Sequence, residues 1–247
     1  MQAMILAAGL GTRLQPITDT IPKALVPVHA EGGGKKPLLE IQLEKMRQYG
    51  FSRIVINVHH FAGQVKAFIS DYLESNHFPV RICISDESDH LLDTGGAIRK
   101  ARSLFKPGEP VLVHNVDIIS DLDLAQFFRR HDPAVHLATL PVSKRETSRQ
   151  LLFDRHWDLA GWINRADGLT KWMEGRSPGE DYSMRAFTGI HMVSPRILEW
   201  MDQWPDVFSI IDFYLWAGSK GVVRGVDMPE LHITDIGKPD TLRNTVI

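Results

Sequence analysis

A short apolar run from Ala3 to Ala7 breaks at Gly9 into a loop rich in glycine, threonine and proline, and strand-like and helix-like segments then alternate as far as Asp117. Pro37 opens an amphipathic stretch with Leu39, Leu43 and Met46 at helical spacing, and Gly50 is placed as its stop. Ile54 to Val58 reads as a buried strand. Val65, Phe68, Ile69, Tyr72 and Leu73 share one helical face, and Val80 to Ile84 is again strand-like. Gly95 to Phe105 reads as a helix, and Val111 to Val113 as a strand running into Asn115 and Asp117. Such an alternation leaves few options, because strand, helix and strand in succession close into a mostly parallel sheet with helices on both faces.

The second half changes character. Leu151 to Trp162 reads as two short strands around a turn at Asp154 to His156, and Ala186 to Val193 is strand-like. Ser194-Pro195 supplies an N-cap and a first-turn proline for a helix through Met201. Arg165 to Ser183 is polar and reads as a loop over the site, and Glu31 to Lys36 as the one flexible insertion. With 247 residues and no linker composition, a single domain is expected. A net charge of -2 gives no footprint for nucleic acid or an anionic membrane, so neither is expected as a partner. Cys83 alone cannot close an internal disulfide, and the apolar start meets glycine too soon for a signal or membrane helix. A cytoplasmic protein is the expectation.

The chemistry concentrates in Leu6-Ala-Ala-Gly-Leu-Gly-Thr-Arg-Leu14 and in the Pro22-Lys23 that follows. Gly9 and Gly11 would let the backbone approach a ligand closely, and successive N–H groups in such a turn form a concavity for anions. Arg13 adds a fork of donors suited to phosphate oxygens, and Lys23 a mobile point charge. A lone pair of glycines would only make a tight turn. Here Arg13, a proline-rich tether and Lys23 share the same short loop, which favours phosphate binding. The spacing is not that of the P-loop, and the third glycine of the dinucleotide fingerprint is missing.

These residues resemble the signature of the sugar-1-phosphate nucleotidyltransferases, L-A-A-G-x-G-T-R-L followed by P-K. Length and later motifs look most similar to the N-acetylmuramate 1-phosphate uridylyltransferases, tightly over the first 120 residues and more loosely beyond. The resemblance implies a glycosyltransferase-A-like three-layer α/β/α sandwich with a mostly parallel mixed sheet. Residues 1–120 would hold the nucleotide and 121–247 the sugar. The implied substrates are a nucleoside triphosphate (UTP, with GTP and dTTP behind) and a sugar 1-phosphate, with Mg²⁺ as cofactor. Nucleotide contacts would fall on Leu6, Ala7, Ala8, Gly9, Gly11 and Thr12. Others would fall on Thr94, Gly95 and Gly96, in a segment, Asp93-Thr-Gly-Gly, that resembles the family's E-T-G-G.

Two aspartates carry the metal expectation. Asp117 follows the strand-like Val111 to Asn115, where ligands of open α/β sheets bind, and an aspartate at this point holds the metal in the family. Asp235 lies in Ile233-Thr-Asp-Ile-Gly237, similar to the family's W-x-D-x-G, although Ile233 replaces the tryptophan and Val116 stands where glycine is common. Mg²⁺ needs only one or two carboxylates besides phosphate oxygens and water. The resemblance also points to Thr188, Gly189 and Asp212 near the sugar, and Lys171 would add a weak further charge to the transfer from the second-half loop. Asp121-Leu-Asp123 has D-x-D spacing but reads as a helix N-cap ahead of Leu124. His59-His60 lacks a second pair at zinc spacing, and Lys35-Lys36 reads as a solvated loop.

No nucleophile elbow or Cys/His pair suggests covalent catalysis, and the expected chemistry needs no general base. A phosphate monoester has a second pKa near ~6, so the attacking oxygen is already ionised at neutral pH. Arg13 would face the departing pyrophosphate and Lys23 the phosphoryl group in flight. Two rivals share the fold: a glycosyltransferase that consumes a nucleotide-sugar, and a nucleotide-binding regulator without turnover. The first has no use for the Arg13 and Lys23 pair, and retention of Arg13, Lys23, Asp117 and Asp235 together speaks against the second.

Overall fold

The computed structural model describes every residue of the chain except His77 and Glu180. The first half contains β1 (Gln2–Leu6), the hairpin β2 (Pro27–His29) and β3 (Lys35–Pro37), and α1 (Leu38–Gln48). It continues through β4 (Arg53–Val58), α2 (Ala62–Asn76), β5 (Arg81–Asp86), α3 (Asp93–Ala101) and β6 (Val111–Asn115). Gly50, at φ 75°, ends α1 as its position suggested. β6, β1, β4 and β5 lie side by side and parallel.

The second half adds β7 (Ile118–Ser120), α4 (Leu124–Phe128), β8 (His136–Ser143), β9 (Arg149–Phe153), β10 (Leu159–Asn164) and β11 (Thr170–Trp172). Then come β12 (Ser183–Phe187), β13 (Ile190–Val193), α5 (Pro195–Trp200), α6 (Ile210–Gly218), β14 (Val222–Asp227), β15 (Ile233–Asp235) and α7 (Pro239–Asn244). β13 joins β6 antiparallel and carries the sheet onward through β8, β12, β9, β10 and β11, with β14 parallel to β8.

The two-residue period of the strands sorts side chains onto two faces. Ala3, Ile5, Ile54, Ile56 and Leu112 pack under Leu39, Leu43 and Met46 of α1 and Val65 and Ile69 of α2. Met4, Val55, Val111 and Val113 pack on the opposite face under Ile98 of α3, Ile197 of α5 and Phe213 of α6. One mixed sheet between two helical layers is the three-layer architecture expected. No helix among the described residues is long and apolar enough to cross a membrane.

Three local expectations need correction. Arg165 to Ser183 is not wholly loop, because Thr170–Trp172 pairs with β10 as an edge strand. Lys35 and Lys36 lie in β3, where the Lys36 ammonium sits 2.7 Å from a Glu44 oxygen, so the insertion is only the tip of a hairpin. Ser194 stands at the N-cap of α5, yet its hydroxyl bonds His136 O and His131 instead of the helix. The N-cap reading of Asp123 holds, its carboxylate accepting from the Gln126 amide.

Candidate active site

The loop after β1 is shaped by its glycines in two different ways. Nothing lies within 4 Å of the position a Cβ would take on Gly9, which lines an open cleft. Gly11 turns inward at φ 69°, and a Cβ there would meet Thr18 at 2.8 Å and Lys23 at 3.1 Å. Gly11 therefore leaves room for Lys23 beside the turn, and it is not among the residues that line the cleft. The Thr18 hydroxyl donates to Gly11 O at 2.8 Å, and buried Leu14 anchors the turn.

Two ion pairs sit at the end of β6. Lys23 Nζ donates to Asp117 Oδ2, with both side chains largely buried. An Arg13 guanidinium nitrogen lies 3.8 Å from Asp235 Oδ1, too long for a hydrogen bond. The aspartates, far apart in the chain, are brought together by backbone. β15 pairs antiparallel with β7, placing Asp235 opposite Ile118, and Ile236 N donates to Asp117 O at 2.9 Å. Gly237 makes room for the second pair, since a Cβ there would stand 2.3 Å from an Arg13 nitrogen and 2.6 Å from Asp235 Oδ1. The structure thus brings together all four residues assigned to catalysis and metal.

The cleft above β1 has a volume of about 410 Å³, ordinary for a small-molecule site. Leu6, Ala8, Gly9, Lys23, Thr94 and Asp117 line it, and so do Asn57, Glu87 and Asn115, to which the motifs assigned no role. Asn57 Oδ1 accepts from the Ala7 amide at 2.7 Å, while its Nδ2 donates to Glu87 Oε1 at 2.8 Å. Burial raises the Glu87 carboxyl above its usual range, although the Asn57 amide opposes this. A buried polar side chain inside the apolar run Ile54 to Val58 was the signal available for Asn57.

Gly95 and Gly96 do not meet the cleft. A Cβ on Gly95 would strike the Phe208 ring at 2.2 Å, and one on Gly96 would strike Asp206 O at 2.1 Å. The Gly95 amide donates to Phe208 O, and Ile210 N donates to the Thr94 hydroxyl at 3.0 Å. The start of α3 is therefore a packing seat for residues 206–210. Thr12 is exposed and, like Ala7, does not line the cleft.

The later half places its residues unevenly. Asp212 and Lys171 form an ion pair of 2.6 Å in a second cavity beside the first. Thr188 is buried with its hydroxyl donated to Pro141 O at 2.8 Å, so it faces the core. Gly189, at φ 78°, leaves space for Asn115, whose Nδ2 would stand 2.7 Å from an added Cβ. His59 and His60 form no metal site: His59 Nδ1 contacts Glu87 O, and no three-residue metal cluster occurs among the described residues.

The sequence profile of the nucleotidyl transferase family matches residues 2–150. An N-acetylmuramate alpha-1-phosphate uridylyltransferase of Caulobacter vibrioides is 33% identical over 94% of this chain and 91% of its own length. The chain belongs to the sugar-1-phosphate nucleotidyltransferase family. A UTP--glucose-1-phosphate uridylyltransferase of Synechocystis sp. is 31% identical over 81% of the chain, which spans about half of that relative's length (51%). Among solved structures, HddC from Yersinia pseudotuberculosis complexed with GMP-PN aligns with a TM-score of 0.72 at 23% identity, covering 98% of this chain and 96% of that one. That likeness concerns the fold. Within the family frame, the profile's span ends at Gln150, and β15 with Asp235 lies beyond it. The Asp235 assignment therefore rests on the motif around it and on its seat beside Asp117.

Proposed function

We propose that the chain transfers a uridylyl group from UTP to a sugar 1-phosphate, N-acetylmuramate 1-phosphate first among them, and releases pyrophosphate. The observation that carries the reading is the juxtaposition of the Lys23–Asp117 and Arg13–Asp235 pairs at the edge of a nucleotide-sized cleft. UTP is supported by both uridylyltransferase relatives, and the muramate by the one that is alike over nearly its whole length.

In this reaction an oxygen of the sugar phosphate attacks the α-phosphorus of UTP, and the bond from that phosphorus to the bridging oxygen of pyrophosphate breaks. The nucleophile is already an anion, so the barrier lies in bringing negative groups together and in stabilising charge on the transferring phosphoryl. Lys23, shielded from water beside the end of β6, would move from Asp117 to the α-phosphate. Arg13, more exposed and at the rim, would turn from Asp235 to the departing pyrophosphate. Each cation rests against a carboxylate, and its departure would leave that carboxylate free to hold a divalent cation.

Asp117 and Asp235 fit a hard divalent cation. They offer only oxygen donors on adjoining backbone, and Asp235 Oδ1 is buried without a hydrogen-bond partner. Mg²⁺ held there would supply positive charge to the phosphate oxygens. Asn57 holds the Ala7 amide in place and so fixes the entry to the glycine loop.

Pyrophosphate release from UTP, GTP and dTTP, each paired with a panel of sugar 1-phosphates and Mg²⁺, tests the reading. Release with UTP and N-acetylmuramate 1-phosphate above every other pair is expected. A higher rate with GTP or dTTP would overturn the base assignment, and no release with any pair would overturn the activity.

A further inference from the structure

Beyond the nucleotide cleft, across the segment from Val207 to Ile211, lies a second cavity of about 390 Å³. Arg145, Arg149 and Lys171 line it against a single carboxylate, Asp212. Lys171 is already committed, paired with Asp212 at 2.6 Å and seated 5.5 Å from the centre of the Trp162 ring. Among the described residues, no ion pair is formed by Arg145 or Arg149, and Arg145 Nε is buried without a hydrogen-bond partner. Gln150, only 8% exposed, lines the same cavity, and its Oε1 is buried with nothing to accept from.

A neutral hexose phosphate would leave this arrangement unsatisfied. Its phosphate belongs with Lys23 and the aspartate pair, and its hydroxyls call for carboxylates and amides more than for two free guanidiniums. A guanidinium matches a carboxylate with two parallel hydrogen bonds. An orphaned amide oxygen in a buried wall matches an N–H donor.

We propose that this cavity selects sugar 1-phosphates bearing a second acid group and an acylamino group. Arg145 and Arg149 take the sugar carboxylate, and Gln150 Oε1 accepts from the amide N–H. The inference rests on the transferase reading and adds the residues that set its sugar specificity.

The test compares kcat/KM for N-acetylmuramate 1-phosphate and N-acetylglucosamine 1-phosphate, which differ by the lactyl ether and its carboxylate, at saturating UTP and Mg²⁺. The wild-type protein is expected to prefer the acidic sugar by roughly 10- to 100-fold. Arg149→Met, on an exposed side chain, should collapse that ratio while the KM for UTP stays in place, and Arg149→Lys should recover part of it. A Gln150→Leu variant should raise KM for both acylamino sugars. A ratio untouched in Arg149→Met would overturn the inference and leave the transferase reading standing; equal kcat/KM for the two sugars in the wild-type protein would overturn the inference and the muramate assignment but leave uridylyl transfer standing. Absence of pyrophosphate with either sugar would overturn both.

Discussion

Replacing Gly237 with alanine isolates the Arg13–Asp235 pair without removing a charge. The backbone at Gly237 is not in the left-handed region, so the new residue meets no conformational penalty of its own. Its Cβ would stand 2.3 Å from an Arg13 guanidinium nitrogen, 2.7 Å from Arg13 Cζ and 2.6 Å from Asp235 Oδ1. Ordinary contact needs about 3.4 Å or more, so both groups must retreat by roughly 1 Å, a misplacement that can cost about 100-fold at a reacting centre. Arg13 is more than half exposed, with a side-chain accessibility of 55%, and can swing into water at little cost to folding. Gly237→Ala should therefore keep its Tm within a few degrees while kcat/KM for UTP falls about 10- to 100-fold. A continuous pyrophosphate assay beside differential scanning calorimetry reads both quantities. Wild-type kcat/KM in a folded Gly237→Ala protein would refute the idea that the resting seat beside Asp235 positions Arg13 for the incoming triphosphate.

Three further outcomes are expected. Lys23→Ala should lower kcat by about 100-fold or more while UTP affinity, measured by calorimetric titration, changes less, because the charge acts on the transferring group. Gly96→Ala should destabilise the fold by about 1–3 kcal/mol in urea titrations, since the new methyl meets the Asp206 carbonyl at 2.1 Å and a backbone atom yields little. Burial pushes His131 down to about 4 and His191 to about 3 from 6.5, so both are neutral in the fold and take up protons on unfolding. Their contribution is intact above pH 6.5 and is lost as pH falls through the folded values. Unfolding free energy should decline from pH 6.5 downward, and His131→Gln should remove up to about 1.4 kcal/mol per pH unit of that slope, whatever it does to the absolute stability. An unchanged slope in the variant would contradict the assignment.

How much was legible in the letters follows the range of the interactions. The parallel half could be read because each strand and helix declares its buried face through local spacing, as Ala3, Met4 and Ile5 do by alternating between the two cores. Lys23 and Asp117 were legible because loop and strand end each carry their own marker. The seat of Gly95 and Gly96 was not, because the atoms that require glycine there belong to Asp206 and Phe208, far along the chain. Thr188 looked accessible beside a glycine, yet the hydroxyl turns inward to Pro141 O. The meeting of Asp235 with Asp117 depends on a three-residue ladder between β7 and β15 that no periodicity announces. Arg145 and Arg149 drew no notice as sequence, because only the folded sheet puts them in one cavity with Gln150, without an ion pair among the described residues.

The proposed transfer requires an exchange of partners at the end of β6, in which Lys23 and Arg13 would leave Asp117 and Asp235 for phosphate. A crystal structure with Mg²⁺ and an unreactive UTP analogue measures that exchange directly. Lys23 Nζ within hydrogen-bond distance of an α-phosphate oxygen, Arg13 turned toward the β- and γ-phosphates, and both aspartates on the metal are the arrangement expected. Nucleotide bound with the Lys23–Asp117 and Arg13–Asp235 pairs intact would contradict it.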